Sequence, residues 1–145
     1  MPRIPGRYIG NDPVRGTVIY RPLLTVRFTL ATGLTFVLGD VLVDSGADVT
    51  TIPAGVLKGF GIPFDSLPPH MPTETAGGNV MQRLCIGDVS FLSHTFATSF
   101  AVLKELRTPV VGRGDFFETF KVDFADWILN PPFFRVTYPR PRQRA

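Results

Sequence analysis

The sequence predicts an all-β domain that contains at most two short helices. The apolar runs are short, they are rich in Val, Phe, Thr and Leu, and Gly, Pro, Asn or Asp bounds them. With 145 residues, 44% of them hydrophobic, the chain is long enough to bury one core and is expected to form a single globular domain. The predicted strands cover, in order, residues 23–30, 35–43, 49–53, 80–86, 89–103, 110–112, 120–124 and 133–138.

Two helical turns are predicted between these strands. The first covers residues 54–60 and ends at Gly61, which can take the positive φ of a helix C-terminus. The second covers residues 115–119, where Asp115 can accept a hydrogen bond as the N-cap. Neither is long enough to change the all-β prediction.

Glycine and proline predict the turns and loops. Hairpin turns are expected at residues 31–34 and 86–89, because the glycine in each supplies the positive φ that tight hairpins require. Residues 63–72 contain four prolines and predict an irregular loop. The Gly-Gly-Asn sequence at residues 77–79 predicts the mobile tip of a further hairpin.

The positive charge of the chain is concentrated at its two ends. The formal net charge is +3, residues 1–27 carry five Arg against one Asp, and residues 135–145 carry four Arg and no acid. Such ends can contact nucleic acid or an acidic membrane surface, but basic runs are more often solvated. Because no aromatic interleaving or base-reading motif accompanies them, no nucleic-acid partner is expected.

Membrane and secreted classes are not favoured by the sequence. No stretch approaches the roughly 18 apolar residues of a membrane span, and the first residues lack the apolar segment of a secretion signal. Cys85 is the single cysteine, which excludes an internal disulfide and predicts a small buried hydrophobe at that position. We therefore expect a cytoplasmic protein with no membrane partner and no cofactor.

Two carboxylates follow the apolar run Val-Leu-Val at residues 41–43, in the sequence Asp-Ser-Gly-Ala-Asp. An ionised carboxylate in an apolar setting costs several kcal/mol unless a partner compensates it. Asp44 and Asp48 therefore need partners elsewhere, and the pattern indicates a functional site.

The spacing around this motif argues against several enzyme classes. An aspartyl-phosphate phosphatase needs a second Asp at the position of Gly46, and the nucleophile elbow of serine hydrolases needs Gly-x-Ser-x-Gly, whereas Ser45 follows Asp44. Neither His70 nor His94 has a Glu or His at metal-ligand spacing. No metal site is therefore predicted.

Three motifs together resemble the retropepsin-like aspartic proteases. They are Asp-Ser-Gly-Ala-Asp after three aliphatic residues, the Gly-rich hairpin around residue 77, and Val-Val-Gly-Arg at residues 110–113 before a short helix. The resemblance runs from residue 24 to residue 124 and implies a closed, partly barrel-like retropepsin (acid protease) fold with a flap hairpin. The expected division is an N-terminal extension at 1–22, the protease domain at 23–138 and a basic Pro/Arg tail at 139–145.

The resemblance also implies a role for each residue of the Asp-Ser-Gly-Ala-Asp motif. Asp44 resembles the catalytic aspartate, and Ser45 resembles the hydroxyl that grips the backbone of the opposing loop. Gly46 lets backbone approach the carboxylates closely. Ala47 and Asp48 match positions that touch the substrate backbone.

The resemblance extends to a flap, a side-chain pocket and an ion pair. The flap closes over an extended peptide and hydrogen-bonds its main chain. Its positions here are Ala76, Gly77 and Gly78. Val110 matches a residue that lines a side-chain pocket and favours apolar substrate residues, and Arg113 matches the arginine that pairs with Asp48.

The chemistry of this family requires a second aspartate. Hydrolysis without a covalent intermediate needs a base for water and an acid for the amide carbonyl, and two carboxylates sharing one proton supply both. Two carboxylates about 3 Å apart cannot both ionise. Since the chain has no second Asp-Thr/Ser-Gly motif, the partner of Asp44 is expected to be Asp44 of another copy in a homodimer.

The dimer interface and the function each leave two alternatives open. Viral members interleave their chain termini in a dimer sheet, whereas Asn-Pro-Pro at residues 130–132 and the Arg/Pro tail favour either a different dimer closure or removal of the tail. The first functional hypothesis is an aspartic endopeptidase acting on extended peptides with apolar residues beside the cleaved bond. The second is a retropepsin-fold module that binds peptides or partners and cleaves poorly. A monomer in solution favours the second.

Overall fold

The computed structural model describes residues 3–69, 73–75 and 78–138. Strands dominate these residues. The strands are β1 (Arg3–Pro5), β2 (Arg7–Asn11), β3 (Val18–Arg21), β4 (Leu23–Leu30), β5 (Thr35–Val43), β6 (Thr51–Pro53), β7 (Thr73–Thr75), β8 (Gly78–Val80), β9 (Gln82–Phe91), β10 (His94–Leu103), β11 (Val110–Val111), β12 (Lys121–Asp123) and β13 (Phe133–Thr137). The helices are α1 (Ala54–Gly59) and α2 (Phe116–Thr119), and 3₁₀ turns cover Phe64–Ser66 and Ala125–Ile128. No helix within the described ranges is long and apolar enough to span a bilayer.

Six strands close into a barrel in the order β10-β6-β11-β5-β4-β9. Strand β4 shows why the sequence forms a barrel strand, because Val26, Phe28 and Leu30 are buried and alternate with more exposed residues. β11 runs parallel to β5, and β6 runs parallel to β10, whereas the other neighbours are antiparallel. The prediction of an all-β, closed-barrel fold with two short helices is confirmed.

Aromatic residues pack around α2 and join it to the barrel. Phe116 and Phe120 are fully buried and stack with their ring centroids 4.7 Å apart. Phe91 and Phe96 contact both of these rings from β9 and β10. Burying a phenylalanine side chain contributes about 1.5–3 kcal/mol, so this cluster holds α2 firmly against the sheet.

Cys85 lies in the wall of the barrel on β9. It is buried and free, as the sequence predicts. Burial disfavours the thiolate and raises the pKa of the Cys85 thiol above its usual value.

A second sheet joins the two ends of the described chain in the order β1-β13-β12. Ile4 of β1 pairs with Phe134 of β13, and Phe134 and Val136 are buried in the core. The first and last strands of the described residues therefore pair within one chain.

Residues 3–21 hold three strands where the sequence predicts none. β1 has only three residues, and β2 and β3 form a hairpin in which no residue is buried. A strand without a buried face carries no apolar alternation, which is the signal that strand prediction uses. The segment assigned as an extension thus contains ordered strands.

The two predicted hairpin turns have different outcomes. The turn at 31–34 is confirmed, with Gly33 at φ +92°. The turn at 86–89 is wrong, because β9 continues through it and the hairpin turns at Leu92 and Ser93. Gly87 instead permits close packing, since a Cβ there would lie 2.5 Å from the Thr29 carbonyl oxygen of β4.

Candidate active site

The loop after β5 places Asp44 beside a cleft. The Asp44 N–H donates to the Val111 carbonyl oxygen (3.1 Å), which keeps this end of β5 attached to β11. Within the loop, the Gly46 N–H donates to Asp44 Oδ1 (2.8 Å) and the Ala47 N–H donates to the Asp44 carbonyl oxygen (3.2 Å). These bonds fix the backbone and one carboxylate oxygen of Asp44, whose residue is half-buried.

The segment after β11 crosses directly against this loop. The Arg113 N–H donates to the Ala47 carbonyl oxygen (2.9 Å). A Cβ at Gly112 would lie 2.7 Å from the Val49 carbonyl carbon and 2.8 Å from the Ala47 carbonyl oxygen, so this crossing requires glycine. The Val-Val-Gly-Arg segment therefore holds the loop of residues 44–50, which we call the Asp44 loop, in place through its backbone.

Asp115 braces the same region from inside the protein. Its buried carboxylate accepts hydrogen bonds from the Thr50 N–H (3.0 Å to Oδ2), the Thr50 hydroxyl (2.9 Å to Oδ1) and the Thr98 hydroxyl (3.0 Å to Oδ2). It also accepts from the Phe116 N–H (2.7 Å), which confirms the predicted N-cap. Several donors thus compensate a buried charge.

The contacts of Asp115 beyond its own helix were missed by sequence reasoning. Thr50 lies 65 positions away in the chain, a separation at which no local pattern operates. One signal was available: Asp115 precedes the apolar pair Phe116 and Phe117, and a charge beside an apolar run requires partners. The same physical requirement holds for Asp44 and Asp48.

Asp48 and Arg113 are brought together at the surface. Arg113 Nη2 lies 3.4 Å from Asp48 Oδ1, and the two side chains are 62% and 90% exposed, respectively. An exposed pair of this kind contributes about 0–1 kcal/mol. The pair therefore orients side chains at the end of the loop more than it stabilises the fold.

The cleft beside Asp44 has a volume of about 810 Å³. Four of the residues that the sequence singled out, besides Asp44 itself, lie in its wall. They are Gly46, Ala47, Asp48 and Val110. Ser45 is exposed on the same loop.

Apolar side chains of β9, of β10 and of the segment after β10 complete the cleft. The sequence does not mark them as site residues, because alternation along β9 and β10 indicates only a strand. They are Leu84, Ala101, Leu103 and Leu106. This combination of an apolar wall with a few fixed polar groups is typical of a ligand site.

The described part of the cleft wall contains two carboxylates, Asp44 and Asp48. Asp48 faces Arg113 and is largely exposed to solvent. The cleft of one chain thus presents a single carboxylate in the position expected for catalysis, which is half of what a dyad requires.

The expected flap corresponds to β7 and β8, which pair antiparallel with Thr75 opposite Gly78. The sequence placed Gly78 and Asn79 at the tip, but both belong to the second arm, so this part of the prediction is wrong. Gly78 has φ +107°, a conformation that favours glycine. Ala76 and Gly77 lie outside the described residues, as do His70 and the tail at 139–145.

Comparison with known proteins agrees with the architecture. No family model and no curated protein sequence match the chain. A solved structure of a retropepsin-like aspartic protease from Rickettsia conorii matches with a TM-score of 0.55 and 13% identity, over 91% of this chain and 99% of that one. The EIAV protease complexed with the inhibitor HBY-793 gives a TM-score of 0.48 and 17% identity, over 64% and 82% of the respective chains. The match to the Rickettsia conorii structure shows that the chain has a retropepsin-like fold. An identity of 13% shows the fold alone.

Proposed function

We propose that this chain is an aspartic endopeptidase whose active site forms across a homodimer from Asp44 of each subunit. The observation that carries the proposal is the fixation of Asp44 in the cleft wall by the Gly46 N–H and by the β11 backbone, whereas Asp48, the other described carboxylate of the wall, is largely exposed and pairs with Arg113. Peptide hydrolysis by direct attack of water needs a base for the water and an acid for the carbonyl oxygen, and a second carboxylate facing Asp44 completes this pair. A two-fold axis through the loop supplies that second carboxylate.

In the proposed reaction the two Asp44 carboxylates share one proton. The ionised carboxylate takes a proton from a water molecule, which attacks the amide carbonyl carbon, while the protonated carboxyl donates to the carbonyl oxygen. The tetrahedral diol then collapses: the carboxyl that received the proton of water gives it to the amide nitrogen, one diol hydroxyl returns its proton to the other carboxylate, and the C–N bond breaks. In this proposal the Ser45 hydroxyl donates a hydrogen bond to the partner's loop and holds the two carboxylates in register.

The remaining site residues are proposed to bind an extended peptide. The backbone at Ala47 and Asp48 is placed to hydrogen-bond the substrate main chain, and the hairpin that includes Ala76, Gly77 and Gly78 is proposed to close over it. Val110 and its apolar neighbours in the cleft wall favour apolar side chains beside the cleaved bond.

The direct test replaces Asp44 by Asn. The Asp44→Asn variant retains shape and hydrogen-bonding capacity but cannot serve as the base, so we expect peptide cleavage to fall by at least about 100-fold. Cleavage is measured with a peptide library at acid to neutral pH, and circular dichroism checks the fold. The matched control is Asp65→Asn, because Asp65 is 83% exposed and does not line the cleft. Full activity in the Asp44→Asn variant contradicts the proposal.

A second candidate function is a peptide-binding module with little or no cleavage. The observation that favours it is the pairing of β1 with β13 inside one chain, which leaves these strands paired without a second subunit. If the chain remains monomeric, the cleft can still bind an extended peptide but lacks the second carboxylate. Sedimentation at high protein concentration separates the two candidates, since only the endopeptidase requires a dimer.

A further inference from the structure

The hairpin of β2 and β3, residues 7–21, is the least buried ordered segment among those described; we call it the hairpin arm. Every residue in it is half-buried or exposed. Several of its apolar side chains face solvent, including Tyr8 at 57% and Val14 at 90% exposure, and Ile9, Val18 and Ile19 are also exposed. Apolar residues clustered on one exposed hairpin are typical of an interaction surface.

An ion pair at the base of the arm joins it to the barrel. Its two strands pair antiparallel, Tyr8 packs edge-to-face on Tyr20, and Arg7 reaches the Gly39 carbonyl oxygen and the Asp40 carboxylate of β5. An isolated two-stranded hairpin is marginally stable in water unless a face of it is covered. An open groove of about 590 Å³ lies between Val18 and Tyr20 of the arm and Trp127 of the same chain, so this face of the arm is only partly covered.

The base of the arm lies next to the Asp44 loop. The arm ends at Arg21, and the carbonyl oxygen of the following Pro22 accepts from the Val43 N–H (3.0 Å). Val43 directly precedes Asp44. Any second copy that brings its Asp44 to this loop therefore also approaches the base of the arm.

The area that a stable interface requires favours a second copy of this chain as the partner of the arm. A stable dimer buries about 800 Å² on each partner, more than the five-residue loop around Asp44 can supply alone. The terminal strands β1 and β13 are already paired with each other. Further area has to come from elsewhere on the chain, and the arm carries exposed apolar surface close to the loop.

We propose that the hairpin arm is a dimerisation element that packs against a second copy of this chain. The inference rests on the proposed homodimer and adds the surface that holds it together. The arm is inserted between β1 and the first barrel strand β4, and it contributes no buried residue to its own chain. Its apolar side chains become buried only when the second copy covers them.

The test uses a matched pair of exposed valines in strands. Val18 in the arm and Val37 in β5 are 51% and 53% exposed. Val18→Asp is expected to raise the dimer dissociation constant at least about tenfold, because it buries an unpaired charge in the interface, whereas Val37→Asp leaves it unchanged. A second arm variant, Ile19→Asp, tests the opposite face, since neighbouring strand residues point to opposite sides. Dissociation constants are measured by sedimentation equilibrium, with the free energy of unfolding as the check on folding.

The outcomes separate this inference from the proposed function. If the wild-type chain dimerises and cleaves peptides while both arm variants dimerise like wild type, the inference is wrong and the proposed function stands. If at least one arm variant dissociates but the wild-type dimer cleaves no peptide, the inference stands and the proposed function is wrong. A wild-type chain that remains monomeric, or an equal loss in Val37→Asp, also overturns the inference.

Discussion

The Asp44 loop and the hairpin arm lie next to each other but are built in opposite ways. The Asp44 N–H donates to the Val111 carbonyl oxygen, the Arg113 N–H donates to the Ala47 carbonyl oxygen, and the buried carboxylate of Asp115 accepts from Thr50. No residue of the arm is buried. One chain thus fixes the conformation of the Asp44 loop by itself, whereas the exposed apolar side chains of the arm are left uncovered within that chain.

Substitutions in the Asp44 loop and at Asp115 are expected to change the free energy of unfolding of a single chain. Substitutions of exposed arm residues act instead on association.

Asp115→Ala is expected to be the most destabilising substitution, because it leaves the Thr50 N–H and two hydroxyls buried without an acceptor. The expected loss is about 3–4 kcal/mol of unfolding free energy, measured by urea denaturation. The matched variant Thr98→Val removes a single hydrogen bond to the same carboxylate and should cost about 1 kcal/mol. Equal losses in the two variants contradict the role of Asp115 as the shared acceptor.

Gly112→Ala tests the close crossing at the loop. Its Cβ meets the backbone of Ala47 and Val49 at under 3 Å, so the loop has to shift and we expect a loss of about 1–3 kcal/mol. Gly55→Ala is the control, since a Cβ at that helical position meets nothing within 4 Å and should be neutral or slightly stabilising. If Gly112→Ala is as stable as Gly55→Ala, the crossing is not tight.

Asp48→Asn tests the exposed ion pair between the Asp44 loop and Arg113. Because Asp48 and Arg113 are mostly exposed, removing the charge should change the unfolding free energy by less than about 0.5 kcal/mol, and the change should shrink further at high salt. Denaturation at low and at high salt measures it. A loss of several kcal/mol would mean that the pair is buried in the assembled protein.

Much of the barrel could be predicted from the sequence, because its strands bury alternate residues. Strands β4 and β5 have the bounds that the apolar pattern indicates. The arm could not be predicted, since a hairpin without a buried face lacks that pattern. Gly87 was misassigned because a glycine at a turn and a glycine at a close packing contact are identical in sequence.

The candidate site was predictable where the motif is local. The Asp-Ser-Gly-Ala-Asp sequence indicated the Asp44 loop. The resemblance of Val-Val-Gly-Arg at residues 110–113 to the protease family implied the contact of Arg113 with Asp48. The donors around Asp115 come from segments far apart in the chain, and their convergence follows only from the closed barrel. The leucines of the cleft wall show no local signal that separates them from ordinary core residues.

Mixing wild-type and Asp44→Asn chains tests most directly the claim that the active site needs two copies of Asp44. One part of wild type is equilibrated with nine parts of the variant at a total concentration well above the dimer dissociation constant. Random pairing leaves about one tenth of the wild-type chains in wild-type dimers, so cleavage per wild-type chain should fall about tenfold. The same excess of serum albumin should have no effect. Unchanged cleavage per wild-type chain in the presence of the variant would contradict a shared active site.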